Sequence, residues 1–247
     1  MRTALAISPH LDDAAFSAGA TLARLARRGW RVIVATVFTR TVPDPQGFAL
    51  ACQLDKGLPP EADYMAIRRA EDEAACTALG ATAYHLPFAE APHRGYEDAP
   101  SLFAEVRADD LASEEIGPAL STLIAELAPT LLLGPRGIGA HVDHVVVRKA
   151  LDALPRPRTL LWTDWPYAGR TDALDPFGPH DAAARRLAVP VQDQDAKLAA
   201  CAAYSTQLGF QFGGAAGMAA SVRLVATERF VVSPELSGCR LTLPWTR

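Results

Sequence analysis

The run Arg31-Val-Ile-Val-Ala-Thr-Val-Phe38 constrains the fold more than any other stretch of the chain. It is rich in β-branched residues and uncharged past its first arginine, the pattern of a strand covered on both faces. Such a strand needs helices above and below it, and the flanking sequence offers them. Residues 3–8 read as a buried strand. Residues 14–28 read as a helix, with Phe16, Ala20, Leu22, Ala23 and Leu25 apolar and Arg24, Arg27 and Arg28 polar, stopped by Gly29. One βαβ unit is complete by Phe38.

The alternation continues. Tyr64, Ile67, Ala70, Ala74 and Ala78 are spaced for a helix over 61–79, closed by Gly80, with a short strand at 82–86. Further helices are expected at 116–127, 143–153 and 193–203, and strands at 130–133, 159–163 and 229–232. Between these lie an irregular loop over 39–60, with one helical turn around 48–54, and a glycine-rich stretch at 209–217. Residues 164–190, rich in Pro, Gly and Asp, read as an excursion that walls or lids a pocket. The pattern predicts one α/β domain over 1–247, a Rossmann-like three-layer sandwich with a largely parallel sheet.

Two turns concentrate the chemistry. Ser8-Pro9-His10-Leu11-Asp12-Asp13 follows the first strand, and His141-Val142-Asp143-His144 follows the apolar run at 130–133. Open α/β sheets bind ligands at the carboxyl ends of their strands, so the two turns can meet in one crevice. His10, Asp13 and His144 then form a three-ligand set with an open position, the catalytic form of a zinc site; no cysteine stands nearby to close a structural one. Zinc lowers the pKa of water to about 7, and Asp12, left off the metal, is the candidate general base. His141, with Asp143 to orient or charge it, can as an imidazolium steady an oxyanion or protonate a leaving amine. Locally, Asp12 and Asp13 read equally as helix-capping carboxylates. His85, His93 and His180 fall in loops or strand ends and read as exposed, without a role.

Composition excludes other classes. With 24 Lys and Arg against 28 Asp and Glu, the net charge is −4 and gives no footprint for nucleic acid. Cys52, Cys76, Cys201 and Cys239 are too dispersed for a disulfide or zinc framework. The first residues leave no room for a secretory leader, and no apolar run has the roughly 18 residues of a membrane span, so a soluble cytoplasmic protein is expected. The first turn also lacks the Gly-x-Gly-x-x-Gly of dinucleotide sites, and its carboxylates would repel a pyrophosphate.

Ser-Pro-His-Leu-Asp-Asp at 8–13, Arg68-x-x-Glu71 followed by Ala75 and Leu79-Gly80, and His141-Val-Asp-His144 resemble the three signature blocks of the PIG-L/LmbE-like deacetylases. The resemblance spans about residues 3–150. It implies a zinc-dependent enzyme, with Fe²⁺ as the other ion such ligands accept, that removes acetyl from N-acetylglucosaminyl groups on small molecules. It implies His10, Asp13 and His144 as ligands, Asp12 as base, His141 with Asp143 at the transition state, and Arg68 as a contact to substrate hydroxyls. Taken as a helix-surface residue, Arg68 would instead pair with Glu71 or Asp72. The chain departs from the family pattern at Leu11 and Ala14, neither of them a ligand position. Gly139 stands where some members carry a tyrosine that assists the oxyanion, leaving Tyr96, Arg94 and Tyr167 as substitutes. A non-sugar N-acyl substrate and an inactive metal-binding scaffold are the competing readings.

Overall fold

The computed structural model describes residues 1–155, 158–179, 181, 186–190 and 192–232. In chain order the elements are β1 (Thr3–Ser8), α1 (Asp13–Arg27), β2 (Arg31–Thr36), α2 (Gly47–Asp55), α3 (Tyr64–Leu79), β3 (Thr82–His85), α4 (Ala112–Leu127) and β4 (Leu131–Pro135). They continue with α5 (Val142–Asp152), β5 (Thr159–Trp162), β6 (Arg186–Pro190), α6 (Gln194–Ala203), α7 (Ser205–Phe212), α8 (Ala215–Leu224) and β7 (Thr227–Val232).

Among the described residues the strands form a seven-stranded sheet in the order β3-β2-β1-β4-β5-β7-β6. The first five run parallel, and only β7 opposes its neighbours. The sheet is thus largely parallel, with helices on both sides, as the alternation predicts. Strand β1 shows why. Its Ala4 and Ala6 enter one apolar layer with Phe16, Leu22 and Leu79, while Leu5 and Ile7 enter the other with Ile116, Leu120, Val146 and Leu151. All six β1 residues are buried, and the period of two sends alternate side chains into opposite layers.

The topology also positions the site. From β1 the chain crosses to β2 on one side, while β4 pairs with β1 on the other. The strand order therefore reverses between β1 and β4, and a crevice opens beyond their carboxyl ends. Both His/Asp turns leave from that edge.

Three expectations are corrected. The stretch 209–217 is not a connection: Gly213 and Gly214, at φ +68° and +110°, separate helix α7 from helix α8. Glycine alone enters these conformations without a Cβ penalty, so two short helices meet at a sharp corner. The excursion from 164 ends by 186, where β6 pairs antiparallel with β7. Helix α4 also begins one turn before its expected start, with the Ala112 N–H bonded to Asp110 Oδ1 at 3.1 Å. Cys52, Cys76 and Cys201 are free thiols; Cys239 and His180 lie outside the described residues. No described helix is long and apolar enough to cross a membrane.

Candidate metal centre

The turn after β1 is held by its own side chains. Ser8 Oγ donates to the His10 carbonyl at 2.7 Å and accepts from the Ala14 N–H at 3.1 Å. Asp13 Oδ2 accepts the His10 backbone N–H at 2.8 Å. Asp12 makes no side-chain cap bond, so the capping alternative does not describe it. Its Oδ2 instead accepts from Gln211 Nε2 at 3.0 Å.

The structure brings the two turns together. His10 Nδ1 and His144 Nε2 each lie 3.2 Å from Asp13 Oδ2. Three donor atoms each about 2.0–2.2 Å from a tetrahedral ion would sit roughly 3.3–3.6 Å apart, close to the observed spacing, which suits a shared cation. The far nitrogen of each ring bonds a carboxylate: His10 Nε2 meets Asp143 Oδ2 at 2.9 Å, and His144 Nδ1 meets Asp164 Oδ1 at 2.8 Å. Imidazoles that ligate metals are oriented in this way. His144 Nε2 is buried and has no hydrogen-bond partner among the described residues. On these observations the residues fit a divalent ion.

Charge follows the same geometry. Burial disfavours protonating His10 and His144, but their carboxylate partners outweigh it, holding His10 well above its ordinary pKa and His144 at about 9. Asp13 is held well below the usual carboxylate range, the two imidazoles prevailing over burial. Burial, then the neighbouring charge of Asp13, pushes Asp12 up to about 7.

His141 differs from expectation. Burial and the adjacent His10 push its pKa down to about 3, so the ring is neutral where an imidazolium was expected. As the residue before α5, it accepts the Asp143 N–H on Nδ1 at 3.2 Å, which leaves its own proton on Nε2. The Asp143 carboxylate does not pair with this ring. It is bonded to His10, to the Ala91 N–H at 3.1 Å and to Arg94 at 2.7 Å.

Arg68 is buried and paired with Glu90. Neither expected partner is available: Glu71 is taken up by Ser205 and Thr206, and Asp72 by His85 and Tyr204. His85 and His93 are part-buried rather than exposed. Of the three substitutes for the missing tyrosine, Tyr96 donates to Asp110 and Arg94 is bonded to Asp110 and Asp143. Only Tyr167 packs on the imidazoles, its ring centroid 5.1 Å from His144 and 6.2 Å from His141. Gly139 makes that possible. Its φ is +94°, and a Cβ there would lie 2.7 Å from Tyr167 Cβ.

Asp164 and Gln211 were missed as site residues by sequence reasoning, whereas Tyr167 was one of three candidates for the missing tyrosine. Asp164 Oδ2 also accepts the backbone N–H groups of Arg136, Gly137 and Ile138 at 2.8–3.1 Å, fixing the loop after β4. Its place just beyond the end of β5 was the one available signal.

Fold and site together define a class: Rossmann-like α/β proteins with a candidate His-Asp-His ion site where the strand order reverses. A profile of the family described as PIG-L, GlcNAc-PI de-N-acetylase, matches residues 5–154, and the chain belongs to that family. The 2'-N-acetylparomamine deacetylase of Streptomyces fradiae is 35% identical over 176 residues, 69% of this chain and 60% of that protein. The chain thus matches only 60% of the length of that curated relative. Among solved structures, the A40926 pseudoaglycone deacetylase Dbv21 is 32% identical with a TM-score of 0.74, over 93% of this chain and 95% of that one. The teicoplanin deacetylase Orf2, solved in a zinc-inhibited form, is 28% identical with a TM-score of 0.76, over 93% and 97%.

Proposed function

We propose that the protein is a divalent-metal-dependent hydrolase that removes an N-acetyl group from an amino-sugar-containing small molecule. The observation that carries this is the pair of imidazoles facing one Asp13 oxygen, each braced from behind by a carboxylate. Relatives named as deacetylases of 2'-N-acetylparomamine, teicoplanin and the A40926 pseudoaglycone support the substrate class.

His10, Asp13 and His144 would hold the ion, Zn²⁺ or Fe²⁺, which when bound supplies Lewis-acid polarisation of the amide carbonyl. Asp12 takes the proton of the attacking water. Burial sets its pKa at about 7, near the operating range a general base needs. Gln211 occupies one carboxylate oxygen and leaves the other for that water. His141, neutral and protonated on Nε2, donates to the developing oxyanion. The Tyr167 phenol, held well above its ordinary pKa by burial and then by Asp13 and Asp12, keeps its proton and is the second donor. Arg68, steadied by Glu90, meets substrate hydroxyls. When the C–N bond breaks, Asp12 returns its proton to the amine, and acetate leaves.

Acetate release from N-acetylglucosamine conjugates, with metal content measured alongside, tests the reading. Asp12→Asn is expected to keep its metal and lose about 10²–10⁴-fold in turnover. His10→Ala and His144→Ala are expected to lose the metal itself. Equal metal loss in all three would remove Asp12 from the role of base. Because zinc inhibits one relative, Zn²⁺ and Fe²⁺ are each titrated from below one equivalent.

A further inference from the structure

Helix α7 turns Gln207, Phe210 and Gln211 into the cleft that holds His10, Asp12 and His141, facing Tyr64 and Lys56. Gln211 is fixed in orientation by its partner: a carboxylate only accepts, so the amide NH₂ meets Asp12. Its Oε1 is then left buried with no hydrogen-bond partner among the described residues. An acceptor in that state is costly unless something that enters the cleft satisfies it. One residue earlier, Phe210 is 65% exposed, an unusual position for a phenylalanine that has no core to join. The Lys56 ammonium sits 4.4 Å from the centre of its ring, although the Lys56 side chain is only 9% exposed. This cation–π contact holds the ring at the cleft mouth, covering one face and leaving the other.

A flat apolar ring beside an unsatisfied acceptor matches the chemistry of a pyranose, which offers a patch of C–H groups on one side and hydroxyl or amide N–H donors at its rim. We propose that Phe210 and Gln211 form the sugar subsite of this enzyme: Phe210 stacks on the ring of the amino sugar, while Gln211 positions Asp12 and accepts from a substrate hydroxyl or N–H. The proposal rests on the amide-hydrolysis reading and adds to it the part of the substrate recognised beyond the acetyl group.

The test compares methyl N-acetyl-β-glucosaminide with N-acetylbenzylamine, an amide without a sugar, on metal-loaded enzyme. In Phe210→Ala the ratio of sugar to non-sugar kcat/KM is expected to fall about tenfold, through KM for the sugar, and Phe210→Tyr to restore it. Gln211→Leu is expected to lower kcat on both substrates, since Asp12 loses its partner, and to raise KM on the sugar alone. Thermal melts check the fold, and the exposed Phe210 keeps the test decisive should Gln211→Leu fail to fold. An unchanged ratio in Phe210→Ala overturns the subsite. So does wild-type enzyme that releases acetate from the non-sugar amide alone, in which case hydrolysis itself stands. If neither substrate is cleaved, the hydrolytic reading falls, and calorimetric titration of the glucosaminide decides the subsite: binding weakened about tenfold by Phe210→Ala supports it, and no binding overturns it.

Discussion

Residues 5–154, where the family profile matches, and residues 158–232 build one site in different ways. The first region carries the groups proposed to hold the ion and activate the water: His10, Asp12, Asp13, His141 and His144. Apart from Asp143 behind His10, the second carries the groups that contact them: Asp164 behind His144, Gln211 on Asp12, and Tyr167 over the rings. Reactive groups are local in sequence because ligands must converge from tight turns. Their supports come from wherever the chain returns to cover the crevice. The difference teaches that the candidate site draws on the C-terminal third as well, whose Asp164 and Gln211 bond His144 and Asp12.

The largest expected effect tests whether that third is fastened to the rest. Lys197 on α6 and Glu228 on β7 are buried and 2.7 Å apart, and Glu228 also accepts the Ala20 and Thr21 N–H groups of α1 at 3.0 and 2.8 Å. Lys197→Met strands a buried carboxylate and is expected to cost about 3–5 kcal/mol in urea unfolding, with Lys197→Met/Glu228→Gln costing less. A single variant as stable as wild type would mean that the two regions are only loosely joined.

A middle-sized effect separates ligand from support. Asp164→Ala leaves His10, Asp13 and His144 intact, yet is expected to weaken metal binding about 10–100-fold in a chelator competition. Unchanged affinity would confine the metal centre to the first region.

The smallest effect is a pH dependence of the metal-free protein. The folded pKa of His144, about 9, lies above the unfolded value near 6.5, so its contribution is fully present below pH 6.5 and lost as pH rises through 9. Asp12, raised from 3.8 to about 7, loses its contribution over a lower window, up to about pH 7. His141, lowered to about 3, has the opposite sign, its contribution present above pH 6.5 and lost in acid. The Tm of chelated protein should therefore fall between pH 6.5 and 9.5, by about 2–4 °C per kcal/mol lost. Metal-loaded protein should fall less, because the ion takes the place of the proton. Parallel curves would show that Asp13 and Asp164 do not hold the His144 proton on as the raised pKa implies.

The sequence made the parallel sheet legible through β1 and β2, whose apolar runs admit few other environments. It made both His/Asp turns legible because each sits between a strand pattern and a helix pattern. Three kinds of feature stayed hidden. Helices α7 and α8 were masked by their glycines. Asp164 and Gln211 are single residues in segments without periodicity, and Gln211 reaches Asp12 across 199 positions. The reach of Asp143 was the third: its backbone N–H orients His141 as expected, but its carboxylate spans to His10.

The backbone at Gly139 makes one further point. The aromatic ring over the imidazoles arrives from residue 167, and it rests where any side chain at 139 would begin. A tyrosine grafted at 139 would evict the resident one instead of joining it. The two placements compete for one space, so a ring from 139 and a ring from 167 cannot both stand over His144.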